Sequence, residues 1–368
     1  MTAEPAPHQP LPDRPGTSPT SASSRFPARE ALGRRPGRRG VVAIVTSLVL
    51  LVVAGCGLRL ETPDPTEPVP DAQETLRRVA VEGALLVGDL ADAAASTSSG
   101  LDQATLDALA TTGTFAEEHV TQLGGTYDSG LPEPGPDGVA PTSGATDEPT
   151  APTTATPAEV VEALAASAAA LRTAADQTQE GAFARLVASV AASQDASARQ
   201  VAATTGTALP GSLVDPTGLL VPEAAPSGLS ATDLSTIIEA EDAAGYAYEV
   251  RAALADGELR DAALGRAVLH RARAEAWAQA AGTAGGPQDP RRVAYTVPSD
   301  VPTPELAAQL ETSLAQSYAA LTGGSGTGTR LPLVDLLIEA NLAAIGWGSP
   351  ADAFPGLPEQ AEQTPATG

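Results

Sequence analysis

Residues 230–251, SATDLSTIIEAEDAAGYAYEVR, set the reading of the whole chain. Ser230 and Asp233 form a helix-starting cap, because the side chain of each can reach a backbone N–H left open at the first turn. Leu234, Ile237, Ile238 and Glu241 then recur at intervals of three and four, the period of one helix face. A turn at Asp256-Gly257 leads to a second helix through His270 and Trp277 that ends near Gly282. A Pro-rich stretch reaches Thr303-Pro304-Glu305, where a third helix begins with Leu306, Leu310, Leu314 and Leu321. After Gly323–Thr329 comes a fourth, with Leu333, Leu336, Leu337 and Leu342, ending near Trp347.

The same plan stands upstream. Asp71 and Glu74 start a helix carrying Leu76, Val79, Leu86 and Leu90, and a second carries Leu106, Leu109, Val120 and Leu123. Thr156-Pro157-Ala158-Glu159 combines a cap, Pro in the first turn and a box-closing Glu. Two more helices follow, with Val160, Leu164 and Leu171, then Phe183, Leu186, Val190 and Val201. Asp71 to Gly124 spans 53 positions and Ser230 to Gly282 spans 52; Thr156 to Val201 spans 45 and Thr303 to Trp347 spans 44. The expectation is an all-α protein of two tandem four-helix bundles, each made of two hairpins joined by a long crossover, the ferritin-like connectivity. The first covers 71–204 with its crossover at 125–156, a linker covers 205–229, the second bundle covers 230–356, and a disordered tail covers 357–368.

The N-terminal residues carry an address. Residues 1–40 are rich in Pro, Ser and Arg without apolar period, which predicts disorder. Arg34 to Arg39 form a basic flank to an apolar run from Val41 to Val53, 13 residues long. A bilayer-spanning helix needs about 20. A basic flank, a short apolar core and small residues at its end mark residues 41–55 as a signal segment. Val53-Ala54-Gly55-Cys56 resembles the lipobox of bacterial lipoproteins, which implies acylation of Cys56 and cleavage before it. Cys56 is the only cysteine, so once it is lipidated no thiol remains for a disulfide, a metal or catalysis. Residues 56–70, rich in Pro and acids, are expected to form an extended stalk. The expected location is the extracytoplasmic face of the cell membrane, reached through the lipid anchor.

Net charge is −24, and residues 1–55 carry +4, so the remainder carries −28. Such a surface argues against nucleic acid as a partner. All 21 Lys+Arg residues are Arg, and with the Ala and Pro excess this points to a GC-rich bacterial genome. Glu239–Arg251, His270–Trp277 and the tail Ala353-Phe354-Pro355-Gly356 resemble an uncharacterised ferritin-like domain of actinobacterial lipoproteins, over roughly Ser230 to Gly356. The resemblance implies a fold and no activity.

Ferritin-like metal sites use a Glu on each of two helices and a Glu-x-x-His pair on each of the other two. The second bundle offers Glu241, His270, Glu311 and Glu339, one per helix, but Ala267 and Leu342 stand where the pairs would be completed. Counting from the hairpin turns puts the four at one level, 13 to 16 residues away. Three readings follow: an incomplete site for a divalent metal, solvent-facing positions, or a buried Arg–Glu network using Arg266, Arg271 or Arg273. The first bundle lacks an equivalent set, and His119 beside Glu117 and Glu118 is read as a surface residue. Tyr246, Tyr248, Trp277, Tyr318 and Trp347 are read as core. No phosphate-binding Gly loop, His-Glu-x-x-His or nucleophile elbow is present. The expected role is therefore non-catalytic binding or scaffolding, without a cofactor and with an envelope protein as partner. The alternatives are a metal-binding protein or a small-molecule carrier using an apolar gap in the second bundle.

Overall fold

The computed structural model describes residues 68–97, 99–129, 151–218 and 220–361. The signal segment, the lipobox of Val53, Ala54, Gly55 and Cys56, most of the stalk, the middle of the first crossover and the last residues of the tail lie outside them. Among the described residues every regular element is a helix. The order is α1 (Ala72–Thr97), α2 (Gln103–Gln122), α3 (Pro157–Gln177), α4 (Gly181–Thr205), α5 (Ala231–Leu254), α6 (Gly257–Ala280), α7 (Thr303–Gly324), α8 (Leu331–Gly346) and a single turn, α9 (Pro358–Ala361).

The helix starts follow local chemistry. Thr156 accepts from the Glu159 amide while Glu159 reaches back to the Thr156 amide, a closed capping box. Ser230 and Asp233 do the same for α5. Asp71 accepts from the Glu74 amide at 2.7 Å, and Asp102 caps α2. Gly206 ends α4 at φ 68°, the left-handed region open to glycine.

Helices pair in sequence: α1 with α2, α3 with α4, α5 with α6 and α7 with α8. In the first quartet α1 also packs on α3 and α2 on α4. In the second, α5 packs on α7. One apolar cluster is private to the first quartet, built on Val87, Leu109, Val160, Leu164 and Val201. A small one, around Tyr248, Ala252 and Ala263, is private to the second. The largest cluster is common to both: Leu171, Val187 and Val190 meet Ile238, Trp277, Tyr318, Leu336 and Leu337. It lies where α4 packs on α7 and α8. The two quartets therefore share a core layer beyond the linker that joins them.

Polar contacts lock this junction. Arg330, buried, donates to the carbonyls of Ser325 at 2.9 Å, Ala175 at 3.0 Å and Thr178 at 2.6 Å, tying the α3–α4 turn to the α7–α8 turn. The turns approach so closely that a Cβ at Gly181 would overlap the carbonyl oxygen of Gly323. The segment after α8 seals the other side. Ser189 donates to the Pro355 carbonyl at 2.8 Å, Arg185 pairs with Glu359 at 2.6 Å, and Phe354 is buried. Gly356 at φ 82° presses on the Ala315 carbonyl and the Ala319 methyl, each 2.8 Å from where its Cβ would be.

His119 corrects the sequence reading. It is buried, not on the surface, and its Nε2–H donates to the Ala353 carbonyl at 2.8 Å. Its ring meets Phe354 edge-on at 5.3 Å. Counting helix spacing could not place it, because the residues that cover it come from 234 positions away. Burial pushes its pKa down to about 4, against the smaller opposite effect of the Ala353 carbonyl. A group whose folded pKa lies below its unfolded value stabilises fully above the unfolded value, near 6.5, and less as pH falls through the folded one. Between pH 6.5 and 4 the clamp on residues 353–357 should lose about 3 kcal/mol. Hydrogen exchange corrected for intrinsic rates should show these amides opening over that range, and His119→Gln, which keeps a donor without a titration, should flatten the response.

Candidate functional site

The four residues singled out by counting do converge. Glu241 on α5, His270 on α6, Glu311 on α7 and Glu339 on α8 are all buried inside the second quartet. His270 Nδ1 lies 2.6 Å from Glu241 Oε2, and Nε2 lies 3.1 Å from Glu311 Oε1. Two arginines complete the cluster from α6, at the positions four before and three after His270. Arg266 grips Glu311 with two parallel bonds, Nε to Oε1 at 2.8 Å and Nη2 to Oε2 at 2.6 Å, and gives Nη1 to Glu339. Arg273 gives Nη1 to the other Glu339 oxygen at 2.6 Å.

Two tyrosines close the ends. Tyr248 donates to Glu311 Oε1 at 2.6 Å and Tyr318 donates to Glu241 Oε1. Each Tyr stands seven residues after a Glu on its own helix, Glu241 and Tyr248 on α5 and Glu311 and Tyr318 on α7. The pairs cross, as two antiparallel helices in register require. The Trp277 indole N–H points to the Tyr318 hydroxyl at 3.4 Å. The Tyr248 ring stacks on His270, with planes 3° apart.

The protonation states follow. Burial alone would push the His270 pKa down, but Glu311 and Glu241 on its two nitrogens outweigh burial and hold it up to about 9. Burial opposes ionisation of Glu311, yet His270 and Arg266 together draw its pKa down to about 2. Glu241 is shifted in the same direction: burial opposes it, and His270, Arg273 and the Tyr318 hydroxyl prevail. Burial and the adjacent carboxylates keep both tyrosines neutral and donating. The cluster thus sets three carboxyl groups against two guanidinium groups and one imidazolium, so its formal charges balance.

This donor set does not fit a divalent cation. Both His270 nitrogens are bonded to carboxylates and every carboxylate is engaged by Arg, His or Tyr donors, so Arg266 and Arg273 stand where a cation would have to sit. Among the described residues no group of three or more His, Cys, Asp or Glu side chains is disposed to hold a metal. Of the three readings open from the sequence, burial removes the solvent-facing one, and the geometry matches the Arg–Glu network, with Arg266 and Arg273 inside it. Arg271 turns outward instead, to Asp242 and Glu249. The sequence reading took Tyr248 and Tyr318 as core, and both are buried, but their hydroxyls belong to the polar network. The signal that could have placed them is the repeated Glu-to-Tyr spacing of seven. Trp347 is only half-buried and leans on Tyr248, with ring centres 5.9 Å apart.

In the first quartet Glu82 is exposed. Asp195 is its buried acid, held by Arg199 at 2.5 Å and by the Val214 amide at 3.2 Å. This contact draws residues 213–216 down onto α4.

Two outcomes are expected. Removing one partner from a buried ion network costs about 3–5 kcal/mol. Arg273→Met should therefore lose about that much in denaturant unfolding. Arg273→Met with Glu339→Leu should recover most of it, since Glu241 and Glu311 then still balance His270 and Arg266. Second, the folded pKa of His270 lies above its unfolded value, so its contribution is complete below pH 6.5 and lost as pH rises through 9. Unfolding free energy should fall by about 3 kcal/mol across that interval, a slope absent from His270→Asn.

Residues 233–359, which hold the whole cluster and the sealing segment, match the model of a family described as a domain of unknown function, DUF4439. No curated protein and no solved structure matches the chain.

Proposed function

We propose that this protein is a lipoprotein of the outer face of the cell membrane, anchored through Cys56. Its helical domain, of ferritin-like descent and actinobacterial origin, would have a binding or scaffolding role without catalysis. The observation that carries the non-catalytic reading is the charge balance inside the second quartet. The three carboxyl groups of the metal alternative are matched by Arg266, Arg273 and the fourth residue, His270, which leaves no open coordination position and no base poised near a substrate. Anchoring is supported by the basic flank, the short apolar run and the lipobox before a lone cysteine. Among the described residues no helix is long and apolar enough to cross a membrane. An envelope protein is the partner that such a location supplies.

The test uses the full chain in a bacterial host with lipoprotein processing. Labelled palmitate should enter the wild type and leave it in the membrane fraction, and Cys56→Ser should carry no label. Label in Cys56→Ser, or a wild type that is unlabelled and soluble, would defeat anchoring. Protein purified without chelators should hold well below one equivalent of iron, manganese or zinc. A stoichiometric metal that is lost in His270→Ala would establish the metal alternative instead.

A further inference from the structure

Between α6 and α8 lies an open groove, exposed to solvent along one side, with a volume of about 410 Å³. Cavities that hold small molecules run from about 300 to 1,000 Å³. Its walls are Ala262 on α6, Leu342 and Trp347 at the end of α8, and Pro216, which the Asp195 contact brings over from the linker. Its floor is Arg266 with Glu339. Arg266 is the member of the cluster that keeps some exposure, 15% of its side chain. Three of its five N–H groups go to Glu311 and Glu339. Trp347 is braced by Tyr248, so the aromatic wall is fixed before anything binds.

We infer that this groove binds a small uncharged molecule with a flat apolar body and one carbonyl or hydroxyl oxygen directed at Arg266. The walls select the body, since they offer the apolar surface of Ala262, Leu342 and Pro216 beside Trp347. The floor selects the oxygen, since a guanidinium can only donate. Charge selects neutrality. The formal charges of the cluster beneath already balance, so an anion would sit uncompensated beside Glu311 and Glu339, and a cation would meet Arg266. The inference rests on the non-catalytic binding reading and names the ligand class for it.

Benzophenone, a neutral diaryl ketone that cross-links under light, is a direct probe. Irradiated with the full-length chain, it should label the peptides carrying Ala262 and Leu342–Trp347 saturably, to at most one equivalent. The anionic 4-benzoylbenzoate should label at least tenfold less. Diphenylmethane, which lacks the oxygen, should compete at least tenfold more weakly than unlabelled acetophenone. Gly346 lines the groove, and a Cβ there meets nothing within 4 Å. Gly346→Leu adds a side chain at this exposed edge of the groove without a backbone clash, and should cut labelling at least tenfold while the melting temperature stays unchanged. Ala343→Met, narrowing the same groove, should act in the same direction. Labelling that is absent, non-saturable or elsewhere would overturn the inference, as would equal labelling by the anion or full labelling of both variants. Equal competition by diphenylmethane would overturn the role given to Arg266. None of these readouts depends on lipid at Cys56 or on metal content, so failure here is distinct from failure of the anchoring or the metal-free reading.

Discussion

Glu241, Glu311 and Glu339 are buried in one cluster inside a helical quartet, and burial forbids them to stand alone. Moving a bare carboxylate out of water costs several kcal/mol even after relaxation, so each must meet a cation or take a proton. Here Arg266, Arg273 and protonated His270 supply the matching charge, and Tyr248 and Tyr318 fill lone pairs that remain. Each of the four helices contributes at least one member. The cluster therefore works only in one register, because a shift of any helix by a turn would part charges that have no water to turn to. Such a network adds less to stability than apolar packing of equal volume would, but it discriminates strongly against misalignment.

The same constraint shapes the gap beside it. At the level of His270, Arg266 and Arg273 bridge α6 to Glu339 on α8 with large polar side chains. Toward the end of α8 the side chains are smaller, with Ala343 and Gly346, and an open groove walled by Trp347 remains. The ion network is thus both the lock of the bundle and the floor of its pocket.

The junction of the quartets uses different means. An apolar layer joins α4 to α7 and α8, Arg330 ties two turns through backbone carbonyls, and residues 353–357 are pinned by His119 and Ser189 from the first quartet. His119 and His270 are both buried, yet their environments drive them to opposite states. One meets a neutral carbonyl and an aromatic edge and stays uncharged, while the other lies between two carboxylates and stays charged.

Helix positions, caps and hairpin order were legible in residues such as Thr156, Glu159, Ser230 and Asp233, because capping and apolar period act over a few residues. The common level of Glu241, His270, Glu311 and Glu339 was legible too, because helical rise makes equal counts from a turn equal heights. Whether those four would face a metal, solvent or arginine was not, since that depends on where Arg266 and Arg273 point once four helices close around them. Nor could the chain's order show that Ala353 would cover His119, or that Pro216 would line a groove between α6 and α8. Local chemistry determined the helices; only the packing of segments far apart in sequence decided which charges met, because a buried charge answers to whatever lies nearest in space.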